Sequence, residues 1–474
     1  MRKYIYPILC TLLIVSQGCD HFLGNKPKGY AIPEAFEDYV KLLASQSLNS
    51  CMSTDAFYLT DDVHLLDDTV SAADLAYANQ DDHERNLYSF KGGQIYTPGS
   101  DDNLWNAAYE RIYTFNTIIN NVLSSTDATD AEKHRLRAEA LYQRAFEYLA
   151  LVIYARHYHK ETAATDYGIP LITKDLVDQT YTRATVAEVY KQIEDDLKEA
   201  SKSLKEVPIN LFHPYLGSLH SFYARLYLYM GRYDDALTEA KEALKLNDQL
   251  QDLRPYQTKD KTTWGRIVLP DGTPMLEKDD NPEAVFVRLQ SGRVTIPVSK
   301  DFLATFERNL PAGATDQRRA LFYADDTVNM GRTDYFYGET CYILYAYQNV
   351  GFSTVENMLI AAECEARVGS KDNAMSYVNK LRDNRIKNNV ALTATDKDEA
   401  LRIVLDERRR EFAFTGFHRL IDLKRLNYED KFQKNITHTA DGETFTLAPN
   451  DNRYIFPINQ MILNYNPGMP QYER

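Results

Sequence analysis

Cys19 carries the most informative chemistry in this sequence. A charged start (Arg2, Lys3) leads into an apolar run from Ile5 to Val15 and the short stretch Ser16-Gln17-Gly18. A positive segment, an apolar segment and small residues before a cut describe a secretory signal peptide, here residues 1–18. Cleavage there leaves Cys19 at the new terminus, where thioether and amide acylation give a lipid anchor. Several acyl chains anchor stably where one is marginal. Such signals usually carry an aliphatic residue three positions before the cysteine, and this chain has Ser16. The apolar run is far short of the ~20 residues a spanning helix needs. Residues 19–35 then read as a lipidated tether, with the rest of the chain outside the cytoplasm.

Other reactive groupings are weaker. His157, His159 and Glu161 lie close together, but histidines at i and i+2 cannot share a helix face, so a polar helix end is the better reading. The pairs Asp279-Asp280 and Asp325-Asp326 could suggest the two carboxylates of a glycosidase, yet nothing in the sequence places them across a cleft. Asp101-Asp102-Asn103 lacks the spaced ligands of a dedicated calcium loop. There is no Gly-x-Ser-x-Gly, phosphate-binding or dinucleotide-binding fingerprint. No catalyst, metal site or cofactor is expected. The run Glu407-Arg408-Arg409-Arg410-Glu411, with Phe412, Phe414 and Phe417 beside it, reads as a scaffold helix with one packed face and one charged face.

The elements that must position any site are mostly helices. Ala108, Ile112, Phe115, Ile119 and Val122 alternate by threes and fours, and Leu141, Ala145, Tyr148, Leu149 and Val152 share a face. Thr185-Val-Ala-Glu188 opens a third helix as a capping box, and Ser353–Glu356 and Asp396–Glu399 look alike. A weak repeat pairs Ala224, Gly231 and Ala236 with Ala362, Gly369 and Ala374. The first copy, Tyr223 to Ala236, resembles a tetratricopeptide unit, in which small residues let two antiparallel helices approach. The copies are too far apart in sequence to predict a continuous solenoid. Between them, residues 250–350 lose helical periodicity, gain Pro and Gly, and show short β-type runs at Ala284–Leu289 and Tyr342–Tyr347. Residues 74–103 have the same character, and irregular stretches on a rigid scaffold commonly carry binding.

The formal charge is −14, and −16 once Arg2 and Lys3 are removed, which disfavours nucleic acid or an anionic membrane surface as partner. The acidic pairs between residues 34 and 84, Asp61-Asp62 among them, read as solvated surface. Cys51, Cys341 and Cys364 allow one disulfide and a leftover thiol, with Cys364 a core residue. The 34 Tyr against 2 Trp suit both helix packing and a wet binding surface.

Four stretches together resemble the SusD/RagB family of outer-membrane nutrient-binding lipoproteins. They are Cys19 to Gly29; Leu104-Trp-Asn-Ala-Ala-Tyr-Glu-Arg-Ile-Tyr113; Asp406 to Gly416 followed by His418 to Arg425; and Tyr454-Ile-Phe-Pro-Ile-Asn-Gln to Pro467, with Gly168-Ile-Pro-Leu-Ile172 between them. The resemblance implies a mostly α fold of tetratricopeptide-like hairpins over residues 36–474. The scaffold would lie mainly at 101–250 and 353–427, and the loop-rich ligand region mainly at 74–103 and 250–350. It also implies a partner, a SusC/RagA-type TonB-dependent transporter. In the family, binding aromatics come from the segment before the Leu104 helix and from mid-chain. The matching positions here are Arg85, Tyr88, Tyr96, Trp264, Tyr323, Tyr335 and Tyr337, where sugar rings would stack and hydroxyls find polar partners. The expected function is non-enzymatic capture of oligosaccharide at the cell surface and its delivery to the transporter. An oligopeptide cargo and a periplasmic tetratricopeptide adaptor are the alternatives.

Overall fold

The computed structural model describes residues 33–67, 75–176, 180–259, 267–290, 295–329, 333–343 and 347–474. Cys19, the signal segment and Trp264 lie outside the described residues. The helices are α1 (Phe36–Leu43), α2 (Asp82–Tyr88), α3 (Asn103–Asn121), α4 (Asp130–Ala150), α5 (Val186–Ala200), α6 (Leu216–Tyr229) and α7 (Tyr233–Leu246). After them come α8 (Lys300–Glu307), α9 (Gln317–Phe322), α10 (Thr354–Val368), α11 (Lys371–Arg382), α12 (Lys397–Glu411), α13 (His418–Leu426) and α14 (Gln460–Tyr465). No helix among the described residues is long and apolar enough to cross a membrane.

The long helices start where their caps dictate. Thr185 Oγ1 accepts from Glu188 N while Glu188 returns to Thr185 N, completing the box that opens α5. Ser353 and Asp396 cap α10 and α12 by accepting from Glu356 N and Glu399 N. Hairpins follow: α3 on α4, α6 on α7, α10 on α11. The repeat alanines Ala224, Ala236, Ala362 and Ala374 are all fully buried at the helix crossings, as close approach requires. Gly231 turns between α6 and α7 at φ +70°, a region that penalises any Cβ. Despite their separation in sequence, the two hairpins dock directly, α7 against α10.

The segment between them folds into small sheets. Ile296–Pro297, Thr333–Tyr342 and Tyr323–Asn329 form a three-stranded antiparallel sheet, and Ser50–Cys51 pairs in parallel with Leu289–Gln290. Ala284–Phe286 and Leu289–Gln290 lie where β structure is expected. Of the second run, residues 344–346 lie outside the described residues, and the described strand occupies Thr333–Tyr342, ending where the expected one begins. Tyr335 and Tyr337 sit on that strand, their side chains outside the described residues.

Two expectations about charge are corrected by burial. Asp61 and Asp62 are not solvated surface but are buried against the 407–411 run. Arg409 donates to Asp62 at 2.7 Å and to Asp301 at 2.9 Å, while Arg419 grips Asp61 with two bonds of 2.7 Å. Nor does the run present a charged face to water. Glu407, Arg408, Arg409 and Arg410 are all buried, with Arg408 on Asp422 at 2.8 Å and Arg410 on Glu407 at 2.6 Å. Buried charge survives only when paired and hydrogen-bonded, and each of these arginines is paired. The possible disulfide among the three cysteines is not formed: all three are buried, Cys51 and Cys364 are free thiols, and burial pushes the Cys51 thiol up to about 12.

Candidate functional site

An open cleft of about 610 Å³ lies between the start of α2 and the loop that leads into α3. Asp55, Gln80 and residues 81–83 form one wall; Tyr96, Thr97 and residues 100–103 form the other. Local sequence sets both walls. Asp81 caps α2, and Glu84 Oε2 accepts from Asp81 N at 3.0 Å. Opposite, Thr97-Pro98-Gly99-Ser100 makes a turn closed by Ser100 N donating to Thr97 O at 3.0 Å, with Gly99 at φ +86°. Pro at the second position and a positive-φ Gly at the third are the residues a type II turn demands. Thr97 Oγ1 then bridges the walls by donating to Asp82 Oδ2 at 2.8 Å.

Tyr96 sits half-buried in this cleft, its ring stacked on the His83 imidazole at 6.3 Å and 17°. Its hydroxyl donates to Asp102 Oδ2 at 2.7 Å, and Tyr154 donates to the same oxygen at 2.8 Å. Asp102 Oδ1 caps α3 by accepting from Trp105 N at 3.0 Å. Burial raises the Asp102 pKa against these three donors, and burial together with Asp102 lifts the Tyr96 phenol well above its ordinary value. The Asp55 carboxylate, 3.7 Å from His83 Nε2, raises the imidazole against the opposing effect of burial.

The remaining expected residues scatter. Arg85 is beside the cleft on α2 but spends its guanidinium locally, donating to Ala78 O at 2.9 Å, to Gln80 O at 2.8 Å and to Asp82. Tyr88 offers no face to a ligand: it is fully buried, stacked on His438 at 4.1 Å, and hydrogen-bonded to Leu65 N and Thr439 O. Tyr323 is likewise core, packed edge-on between Phe306 and Tyr342. Sequence reading missed His83, whose signal is its place in the irregular 74–103 stretch, and Asp55, which has no local signal; Asp102 it weighed only as part of a calcium loop. It also missed Tyr347, which is 42% exposed beneath the Lys278 ammonium in a separate cleft of about 150 Å³.

Asp55, His83 and Glu84 bring one ligand atom each within 4.8 Å of one another, the only such group among the described residues. Two carboxylates and an imidazole are a donor set that could hold a divalent cation, and the Asp55 carboxylate already lies 3.7 Å from His83 Nε2. His157 and His159 do not converge on a metal set. Burial, with Lys424 and Arg425 nearby, drops His157 to about 3, and His159 stacks on Tyr428 at 4.5 Å. Both lie just past the helical turn that ends at Tyr154. A second cleft of about 410 Å³ is lined by Arg308, Arg409, Lys431 and Lys434, and these pair with Asp406, Asp62, Asp398 and Asp61.

The comparisons match this architecture. A family profile described as "Starch-binding associating with outer membrane" matches residues 42–228, and one described as "SusD family" matches residues 355–474. The chain belongs to the SusD/RagB family. No curated protein matches the sequence. Among solved structures, this SusD-like chain resembles a SusD superfamily protein from Bacteroides thetaiotaomicron VPI-5482, with TM-score 0.68 at 18% identity over 93% of this chain and 100% of that one. A SusD-like carbohydrate binding protein from Bacteroides vulgatus ATCC 8482 gives 0.61 at 18% identity over 92% and 98%. One from Bacteroides fragilis NCTC 9343 gives 0.64 at 14% identity over 92% and 99%. At such identities the likeness is one of fold: the helical hairpins and small sheets here are those of a SusD-like protein. The family is carbohydrate-binding and non-catalytic, in keeping with the expectation that this chain is no enzyme.

Proposed function

We propose that this SusD-like protein captures oligosaccharide in the Tyr96 cleft, at the outer surface of the outer membrane, and hands it to a SusC/RagA-type TonB-dependent transporter. A lipid on Cys19 holds it there. The observation that carries the reading is the stacked His83–Tyr96 pair, an aromatic surface edged by carboxylates, an amide and hydroxyls. Sugar rings offer apolar C–H faces to such a surface and hydroxyls to such an edge. Two of the similar structures are SusD-like carbohydrate binding proteins, which supports the same cargo. Arg85 lies at the edge; Trp264, Tyr335 and Tyr337 are the mid-chain candidates that the family resemblance implies.

The test is titration of wild type and Tyr96→Ala against neutral oligosaccharides, maltoheptaose first, with a peptide library in parallel. Binding to glycans that depends on Tyr96 supports the reading. Binding to peptides alone turns it to the RagB-like alternative. Delivery is tested by co-purification from detergent extracts at native expression, where a transporter of the TonB-dependent class should accompany the protein.

A further inference from the structure

The loop from Phe90 to Asp102 carries Tyr96 and the Thr97–Ser100 turn, yet it contains neither helix nor strand. Its geometry therefore depends on its ties. Many are local, such as Asn86 Nδ2 on Ile95 O at 2.7 Å and Thr97 Oγ1 on Asp82 Oδ2 at 2.8 Å. Tyr154 holds Asp102, and four long-range ties come from residues 453–474. Gln94 Nε2 donates to Ile458 O at 2.8 Å, Arg453 Nη1 to Phe90 O at 3.2 Å, and Arg474 Nη1 to Gly93 O at 3.1 Å. Nearest the cleft, Asn459 Nδ2 donates to Ser100 O at 2.9 Å.

We infer that Asn459 is a positioning residue for the cleft, holding the Thr97–Ser100 turn in its ligand-ready form; this rests on the cleft being the ligand site. Asn459 is buried, and both ends of its amide are used. Oδ1 accepts from Met461 N at 2.8 Å, capping α14, while Nδ2 reaches Ser100 O. The two partners, an amide N–H and a carbonyl, fix which end is which. The side chain is thus a rigid rod from the start of α14 to the edge of the cleft. Ser100 O is the carbonyl of the turn's last residue, so fixing it fixes where Ser100 and Asp101 face the ligand. A loop ordered beforehand spares a ligand the cost of ordering it.

Asn459→Asp and Asn459→Ser separate the two functions. Both residues cap helices well, but an ionised Asp has no donor and Ser is too short to reach Ser100 O. Hydrogen–deuterium exchange is followed over residues 93–101 and 460–466, and maltoheptaose and the neutral panel are titrated against each variant and Tyr96→Ala. The expected result is faster exchange over 93–101 in both variants, unchanged exchange over 460–466, and affinity weaker by about threefold to tenfold, the worth of one buried hydrogen bond. Should Asp prove too costly in a buried site, the Ser variant carries the comparison. Unchanged exchange over 93–101 overturns the tie, and faster exchange at wild-type affinity overturns the positioning role. If wild type and Tyr96→Ala bind the panel alike, the cleft reading falls and takes the binding role of Asn459 with it, while the exchange arm still decides the tie.

Discussion

The Tyr96 hydroxyl donates to the buried carboxylate of Asp102 at 2.7 Å, so the aromatic ring that faces the cleft is fixed by the residue that caps α3. The scaffold helix and the ligand surface therefore share one side chain. Losing the ring and losing its tether are different experiments.

Tyr96→Ala removes the stacking surface and is expected to weaken glycan binding by about fivefold to thirtyfold, equivalent to ~1–2 kcal/mol. Tyr96→Phe keeps the ring and drops only the bond to Asp102, so it should cost less. Calorimetric titration decides, and an alanine variant that binds as wild type does would remove Tyr96 from the site.

The His83–Asp55 pair should make the cleft sensitive to pH. Its folded-state pKa is raised above 6.5, so the pair's contribution is complete below that value and fades as pH rises through the higher folded value. NMR titration of His83 should show the raised midpoint, and Asp55→Asn should lower it. An identical midpoint in the variant would mean that Asp55 does not set it.

Cys19→Ala is expected to release or mislocalise the protein, since no described helix is long and apolar enough to cross a membrane. Fractionation in cells lacking the transporter is the measurement. Continued sedimentation with outer membrane would refute the lipid anchor.

Asp62→Ala takes from buried Arg409 its shortest partner, at 2.7 Å, and leaves it Asp301 and Asp61. Removing one partner of such a pair typically costs about 3–5 kcal/mol, and a shared bond with Asp301 should keep the loss toward the lower figure. Denaturant melts measure it, with glycan affinity expected to hold in the folded fraction.

Ala224→Leu should destabilise the α6–α7 crossing by about 1–3 kcal/mol through overpacking, since Ala224 is fully buried there. Thermal melting checks this. A variant as stable as wild type would show that the crossing has slack.

Much of the scaffold was legible because its signals are local. The Thr185–Glu188 box and the alanines at the hairpin crossings each specify geometry through neighbours in sequence. What was not legible depends on distant partners. Tyr88 and Tyr96 are eight residues apart in one stretch that reads as irregular; the first is core because His438 arrives over it from 350 residues away, and the second, held by nearby Asp102, stays in the cleft. Asp61-Asp62 reads as surface until Arg409 and Arg419 arrive from some 350 residues away. The docking of α7 on α10 is likewise invisible to periodicity, which reports a helix's own faces and not its neighbours.

Tying the 90–102 loop to residues 453–474 also fixes an order in time. The chain is made from its N-terminus, and α3 and α4 can pair as soon as both have emerged. The contacts of Gln94 and Asn459, each spanning some 360 residues, cannot form until nearly all of the chain is present. The cleft is thus among the last parts of the molecule to mature. A chain interrupted before residue 453 would lack all four of the ties that this segment gives the loop.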